Sequence, residues 1–145
     1  MEASGRNGGK ALEALVGKGL SQGIAQVAAV GSPLHPFILD ETGKMYVLFD
    51  PSGARDPMEL ALRAIRERLS GIQRCALVID TRITTTDGRK SDAILVMACE
   101  RDAETGESWA QCYVPKGFFR KFRSEGEPER VGDVRNFIRI ALEQA

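Results

Sequence analysis

The sequence predicts an α+β fold, a three-layer α/β/α domain with a five-stranded antiparallel sheet and the element order αββαβββα. Three observations lead there. Apolar residues recur at steps of three and four near both ends of the chain and once in the middle, which is the period of a one-faced helix. Short apolar runs between turn-forming residues have the character of antiparallel strands. The last three of these runs are apolar at both sets of alternate positions, so the sheet they form needs a covering layer on each face. A chain of 145 residues, 43% hydrophobic and 28% charged, has the size and composition of one such domain.

Residues 1–9 are glycine-rich and polar and are expected to form a disordered tail, leaving residues 10–145 as the domain. From Lys10 to Val30, the positions Leu12, Leu15, Val16, Leu20, Ile24, Val27 and Ala28 give a first helix. Gly17, Gly19 and Gly23 weaken it by about 1 kcal/mol each relative to alanine, so it depends on packing, and Gly19 and Gly23 would permit a close approach. Pro33 and Pro36 impose extended backbone, and the runs Phe37 to Leu39 and Met45 to Phe49 form a hairpin through Asp40-Glu41-Thr42-Gly43. A second helix starts at Asp56-Pro57-Met58-Glu59, where a capping carboxylate precedes a proline in the first helical position. Its apolar stripe is Met58, Ala61, Leu62, Ile65 and Leu69, with Gly71 as the terminator. Strands are expected over Arg74 to Ile83, Asp92 to Glu100 and Ser108 to Val114, and a third helix from the spacing of Val134, Phe137, Ile138, Ala141 and Leu142.

A tight two-residue turn at Asp87-Gly88 would set Val78 opposite Met97 and Asp80 opposite Leu95. One face of the sheet would then combine Ala76 and Val78 with Leu95, Met97, Cys99, Ala110, Cys112 and Val114; the other would combine Leu77 and Ile79 with Ile94, Val96, Ala98, Trp109 and Tyr113. The second helix is expected to cover one face, and the first and third helices the other. This succession of elements over residues 11–143 resembles the roadblock and profilin-like sheets in topology, a likeness that implies a fold and no function.

Charge and composition narrow the classes of function. Twenty basic residues balance twenty acidic ones, so no overall field draws the chain to nucleic acid or to an anionic membrane. The longest apolar runs, Ala76 to Ile79 and Ala93 to Cys99, fall far short of a membrane span, and no apolar leader marks the N-terminus. Cys75, Cys99 and Cys112 lie within apolar runs and match no zinc or redox spacing, which fits core residues in a reducing, cytoplasmic compartment. With His35 as the single histidine, centres needing two imidazoles are excluded, and no metal or cofactor is implied. Gly17-Lys18-Gly19 matches neither phosphate-loop pattern and lies in a helical stretch where such loops follow a strand.

Two groups of residues stand out as sites. Trp109, Gln111 and Tyr113 share the sheet face expected under the glycine-weakened first helix, where incomplete packing would leave a pocket. In the segment Lys116 to Arg123, Lys116, Arg120, Lys121 and Arg123 interleave with Phe118, Phe119 and Phe122. That pattern suits either phenylalanines pinning a connection to the core beneath solvated charges, or a surface for an acidic partner or single-stranded nucleic acid. Asp80, Arg82 and Asp92 could form a small polar site, but Asp80 and Arg82, two residues apart on one face, are better expected to form a salt bridge at a sheet rim. With no nucleophile beside a base, the leading expectation is a non-catalytic regulatory or scaffolding module acting through protein contacts, as a homodimer built on edge strands or second helices. The alternatives are a small-molecule sensor at Trp109 and Tyr113, then a single-stranded nucleic-acid binder at Lys116 to Arg123, the least favoured partner.

Overall fold

The computed structural model describes residues 2–31, 33–53, 55–117 and 119–143, with side chains from residue 9 onward. Helix α1 (Glu2–Val30) takes in residues 2–9, which composition assigns to a tail. Its sheet-facing side carries Leu12, Leu15, Val16, Leu20 and Val27, all buried. Gly19 and Gly23 lie one turn apart on that same side. A methyl group at Gly19 would come within 3.1 Å of Val78, and one at Gly23 within 2.6 Å of Ile94, so the two glycines do bring the helix down onto the strands.

Six strands, not five, form the sheet, in the order β2-β1-β3-β4-β5-β6 and with every pairing antiparallel. They are β1 (Phe37–Asp40), β2 (Met45–Val47), β3 (Arg74–Thr84), β4 (Lys90–Glu100), β5 (Thr105–Val114) and β6 (Arg123–Arg135). The additional strand comes from the connection after Pro115, so the element order is αββαββββα and the topological likeness inferred from the shorter order does not hold. Strand β6 lies on the edge with most of its length exposed, and therefore has no apolar alternation to announce it. It is also bulged against β5 between Ser108 and Trp109 and between Ala110 and Cys112.

The β3–β4 register differs by one residue from the expected one. Val78 faces Val96 and Asp80 faces Ile94. The cause is the turn. Thr85 N–H donates to Arg89 O at 2.7 Å, Gly88 N–H donates to Thr85 O at 3.0 Å, and Gly88 has φ +86°, a three-residue loop closed by a left-handed glycine. One more loop residue exchanges the two faces of one strand relative to the other. The core facing α1 is thus Ala76, Val78, Ile94, Val96, Ala98 and Tyr113, with Phe37 and Leu39 from β1. The opposite core draws on Cys75, Leu77, Cys99 and Ile38.

Helix α2 (Pro57–Arg68) starts as its sequence requires, with Asp56 accepting from Met58 N–H at 3.0 Å and Pro57 in the first turn. Helix α3 (Phe137–Glu143) packs beside α2 on this second face, burying Phe137, Ile138 and Ala141 against Ala61, Ala64 and Ile65. The expectation that α3 joins α1 is corrected: an apolar stripe specifies a buried side but not which sheet face receives it. Asn136 settles the matter locally. Its Nδ2 donates to Glu100 O at 2.7 Å and to Ala103 O at 2.6 Å, tying the start of α3 to the β4–β5 turn. The three layers are therefore α1, the sheet, and α2 with α3.

Candidate functional site

Helices α2 and α3 cover only part of their sheet face. Their core reaches Ile79, Met97 and Val134. Beyond it, the same face continues through Thr81, Ile83, Ala93, Leu95, Ala110 and Cys112, as the pairings Thr81–Ala93, Ile83–Ser91 and Ala93–Cys112 require. A groove of about 400 Å³ lies over this end, floored by Ile83, Ser91, Ala110 and Cys112. One wall is the β3–β4 turn. The other is β6, whose bulge carries Glu125, Glu127 and Glu129.

The charges around the groove are arranged by local geometry. Arg89 Nε donates to Asp87 Oδ2 at 3.1 Å, and its Nη1 lies 3.8 Å from Glu125 Oε1, so one guanidinium spans both walls. Asp87 is held below the ordinary carboxylate range, first by the hydrogen bond donated by Thr85 Oγ1 and then by Arg89. Arg130 pairs with Asp133 at 2.5 Å. The two arginines of the rim thus have carboxylates of their own, and the β6 wall is acidic on balance.

The basic segment borders the groove. Gly117 and Arg120 pair across a tight turn that presents Phe119, which is 95% exposed. Phe122 folds back onto Tyr113, ring centres 5.5 Å apart, and pins the connection to the α1-side core. Of the three phenylalanines expected to do so, Phe122 does, Phe119 does not, and Phe118 is outside the described residues. Lys116, Arg120, Lys121 and Arg123 are exposed. The last three, with Arg89, line a second depression of about 490 Å³ that shares Arg89 and Glu125 with the first.

Trp109, Gln111 and Tyr113 point toward α1, and each already has work within the fold. Tyr113 is buried and donates its hydroxyl to Asp80 Oδ1 at 2.6 Å, while Asp80 Oδ2 accepts from Leu34 N–H at 3.0 Å. Gln111 Nε2 donates to the carbonyls of Glu125 at 3.2 Å and Gly126 at 3.0 Å, filling the β5–β6 bulge. Half-buried Trp109 packs on the α1-side core and donates to Glu107 at 3.1 Å. A shallow depression between α1 and β6 is lined by Gln111 with Leu20, Ser21 and Ile24, but by neither aromatic ring.

Cys75 and Cys99 face each other across β3 and β4, fully buried. Burial pushes the Cys75 thiol well above the usual range. Cys99 falls below it, because its sulfur accepts from Cys75 and from the N–H groups of Ile138 and Phe137. Cys112 is half-buried in the groove floor. His35 stands in a loop with its ring edge-on to Phe49, centres 5.6 Å apart. Among the described residues, no three His, Cys, Asp or Glu side chains are grouped to hold a metal ion, and no helix is long and apolar enough to cross a membrane.

Reading by sequence alone missed Arg89 and the Glu125, Glu127, Glu129 wall. The available signal was the spacing of those glutamates at every second residue, which is strand spacing. Gly126 and Pro128 between them pointed instead to a loop.

Taken together, fold and surface define a small three-layer α+β domain whose sheet is open at one end, with apolar residues on its floor and segregated charge on its rim. No family model, curated protein or solved structure matches the chain.

Proposed function

We propose that the protein is a non-catalytic interaction module, acting through protein contacts at the open end of the sheet. The observation that carries this reading is that Ile83, Leu95 and Cys112 stay only half-buried on a sheet face beyond the reach of α2 and α3, beside the buried Ala93 and Ala110. An antiparallel sheet facing solvent carries polar residues on that side; apolar floor with a charged rim is the pattern of a contact surface. The groove is partly open to solvent and is not an enclosed cavity, which leaves room for a protein segment to lie along it.

Native mass spectrometry of gently purified protein tests the reading. Protein-only species, with association abolished by Ile83→Lys in a chain of unchanged melting temperature, support it. A small molecule retained by each copy overturns it in favour of a sensor.

A further inference from the structure

We infer that the occupant of the open sheet end is a second copy of this chain, docked so that each copy's basic segment, Lys116 to Arg123, lies on the other's acidic β6 wall. The inference rests on the contact-module reading and adds the partner to it.

Charge complementarity carries the argument. Residues 116–123 hold four basic side chains and no acidic one, and residues 124–129 hold three glutamates and no basic one, in a chain whose formal net charge is zero. The two blocks are adjacent along the chain and in space, since the acidic-walled groove and the basic depression share Arg89 and Glu125. A patch that is positive on one side and negative on the other becomes complementary to itself after a two-fold rotation about its boundary. Here that boundary runs beside the groove floor, where Ile83 and Cys112 are half-buried, and Phe119 projects from the basic turn at 95% exposure. A general acceptor of polyanions would lack the acidic half of the patch, and an acceptor of basic peptides would lack the other.

The sheet edges favour the same answer by exclusion. Strand β2 is three residues long, and β6 carries Pro128, two bulges and glutamates at every second residue, all features that blunt edge pairing. The outer side of α2 presents Arg63 and Glu67, already paired with one another at 3.2 Å. The two routes to a dimer that the sequence suggested, edge strands and second helices, are thus the less suitable surfaces.

Sedimentation velocity on the full chain, at about 0.05 M and about 1 M salt, tests the inference, because screening shortens from roughly 14 Å to 3 Å over that range. The expected result is a dimer whose dissociation constant rises at least about tenfold with salt. Arg120→Glu/Lys121→Glu and Glu127→Lys/Glu129→Lys should each be monomeric, with melting temperatures near that of the parent, and an equal mixture of the two should form a heterodimer. That rescue excludes misfolding as the cause. A monomeric parent at all concentrations, or a dimer indifferent to both charge reversals, overturns self-docking. So does a monomer that binds labelled oligothymidylate and loses it in Arg120→Glu/Lys121→Glu, which would make the basic segment a nucleic-acid surface. A parent found bound to a different protein chain overturns self-docking while leaving the contact-module reading intact; a retained small molecule overturns both.

Discussion

Asn136 joins the β4–β5 turn to the start of α3. It is 5% exposed, donates to the carbonyls of Glu100 and Ala103, and offers Oδ1 to Arg139 N–H at 3.3 Å, so one amide joins a turn to a helix start. Asn136→Ala should cost about 1 to 3 kcal/mol by urea denaturation, because part-buried carbonyls lose their donor. Asn136→Asp should cost more at neutral pH, since a carboxylate would face those same carbonyls, and the excess should shrink in acid as the group protonates. Asp40 gives a second pH-dependent expectation. Burial raises its pKa, but hydrogen bonds from Thr42 Oγ1, Lys44 N–H, Thr42 N–H and Tyr46 Oη outweigh this and bring it below the ordinary range. A depressed folded pKa contributes stability in full above the unfolded value of about 3.9, and this is lost as pH falls through the folded value. The stability gap between the parent and Asp40→Asn should therefore be widest above about pH 4 and close in stronger acid. An unchanged gap down to acid unfolding would remove Asp40 from that role. At this scale the sequence was a partial guide: it marked Trp109, Gln111 and Tyr113 by type and face, but their hydrogen bonds to Glu107, Gly126 and Asp80 depend on pairings that no local pattern encodes.

Among the elements, α1 shows how one residue type can act in opposite senses within a single helix. Gly17 is exposed, with nothing within 4 Å of an added methyl, whereas Gly23 would place that methyl 2.6 Å from Ile94. Gly17→Ala should stabilise by up to about 1 kcal/mol, the helix-propensity difference alone. Gly23→Ala gains the same propensity but must push α1 off β4, and should be destabilising on balance, with overpacking costing about 1 to 3 kcal/mol. Thermal melts of the two single variants moving in the same direction would refute the close-approach role. The contrast also marks what periodicity conveys. The spacing of Leu12, Leu15 and Val16 identifies a helix and its buried side, and Asp56-Pro57 identifies the start of α2, because these signals arise within one turn. Strand β6 was not legible, since an exposed, bulged edge strand containing Pro128 has no buried face to leave an imprint. The β3–β4 register failed for a narrower reason: Asp87-Gly88 fits a two-residue turn, yet Gly88 closes a three-residue one.

At the level of the whole molecule, the three cysteines form a ready-made probe of which surface is covered. Cys75 and Cys99 are sealed between the sheet and the α2–α3 layer at 0% exposure, while Cys112 lies half-buried on the floor of the open groove. A small alkylating reagent should therefore modify Cys112 first in the native protein, and the other two only with unfolding. If two copies close over the sheet end, the same modification should slow as protein concentration rises at low salt and recover at high salt, because the cover is electrostatically held. Arg120→Glu/Lys121→Glu should label at the fast rate throughout. These expectations separate the open groove from every other candidate surface, since edge pairing through β2 or contact through the outside of α2 would leave Cys112 as it is in the monomer. Mass spectrometry counting adducts per chain gives the readout. Labelling of Cys112 at one rate across a concentration range in which sedimentation shows dimer would place the interface elsewhere. A rate that tracks the monomer fraction would tie the apolar floor, the acidic wall and the basic turn into one self-complementary surface.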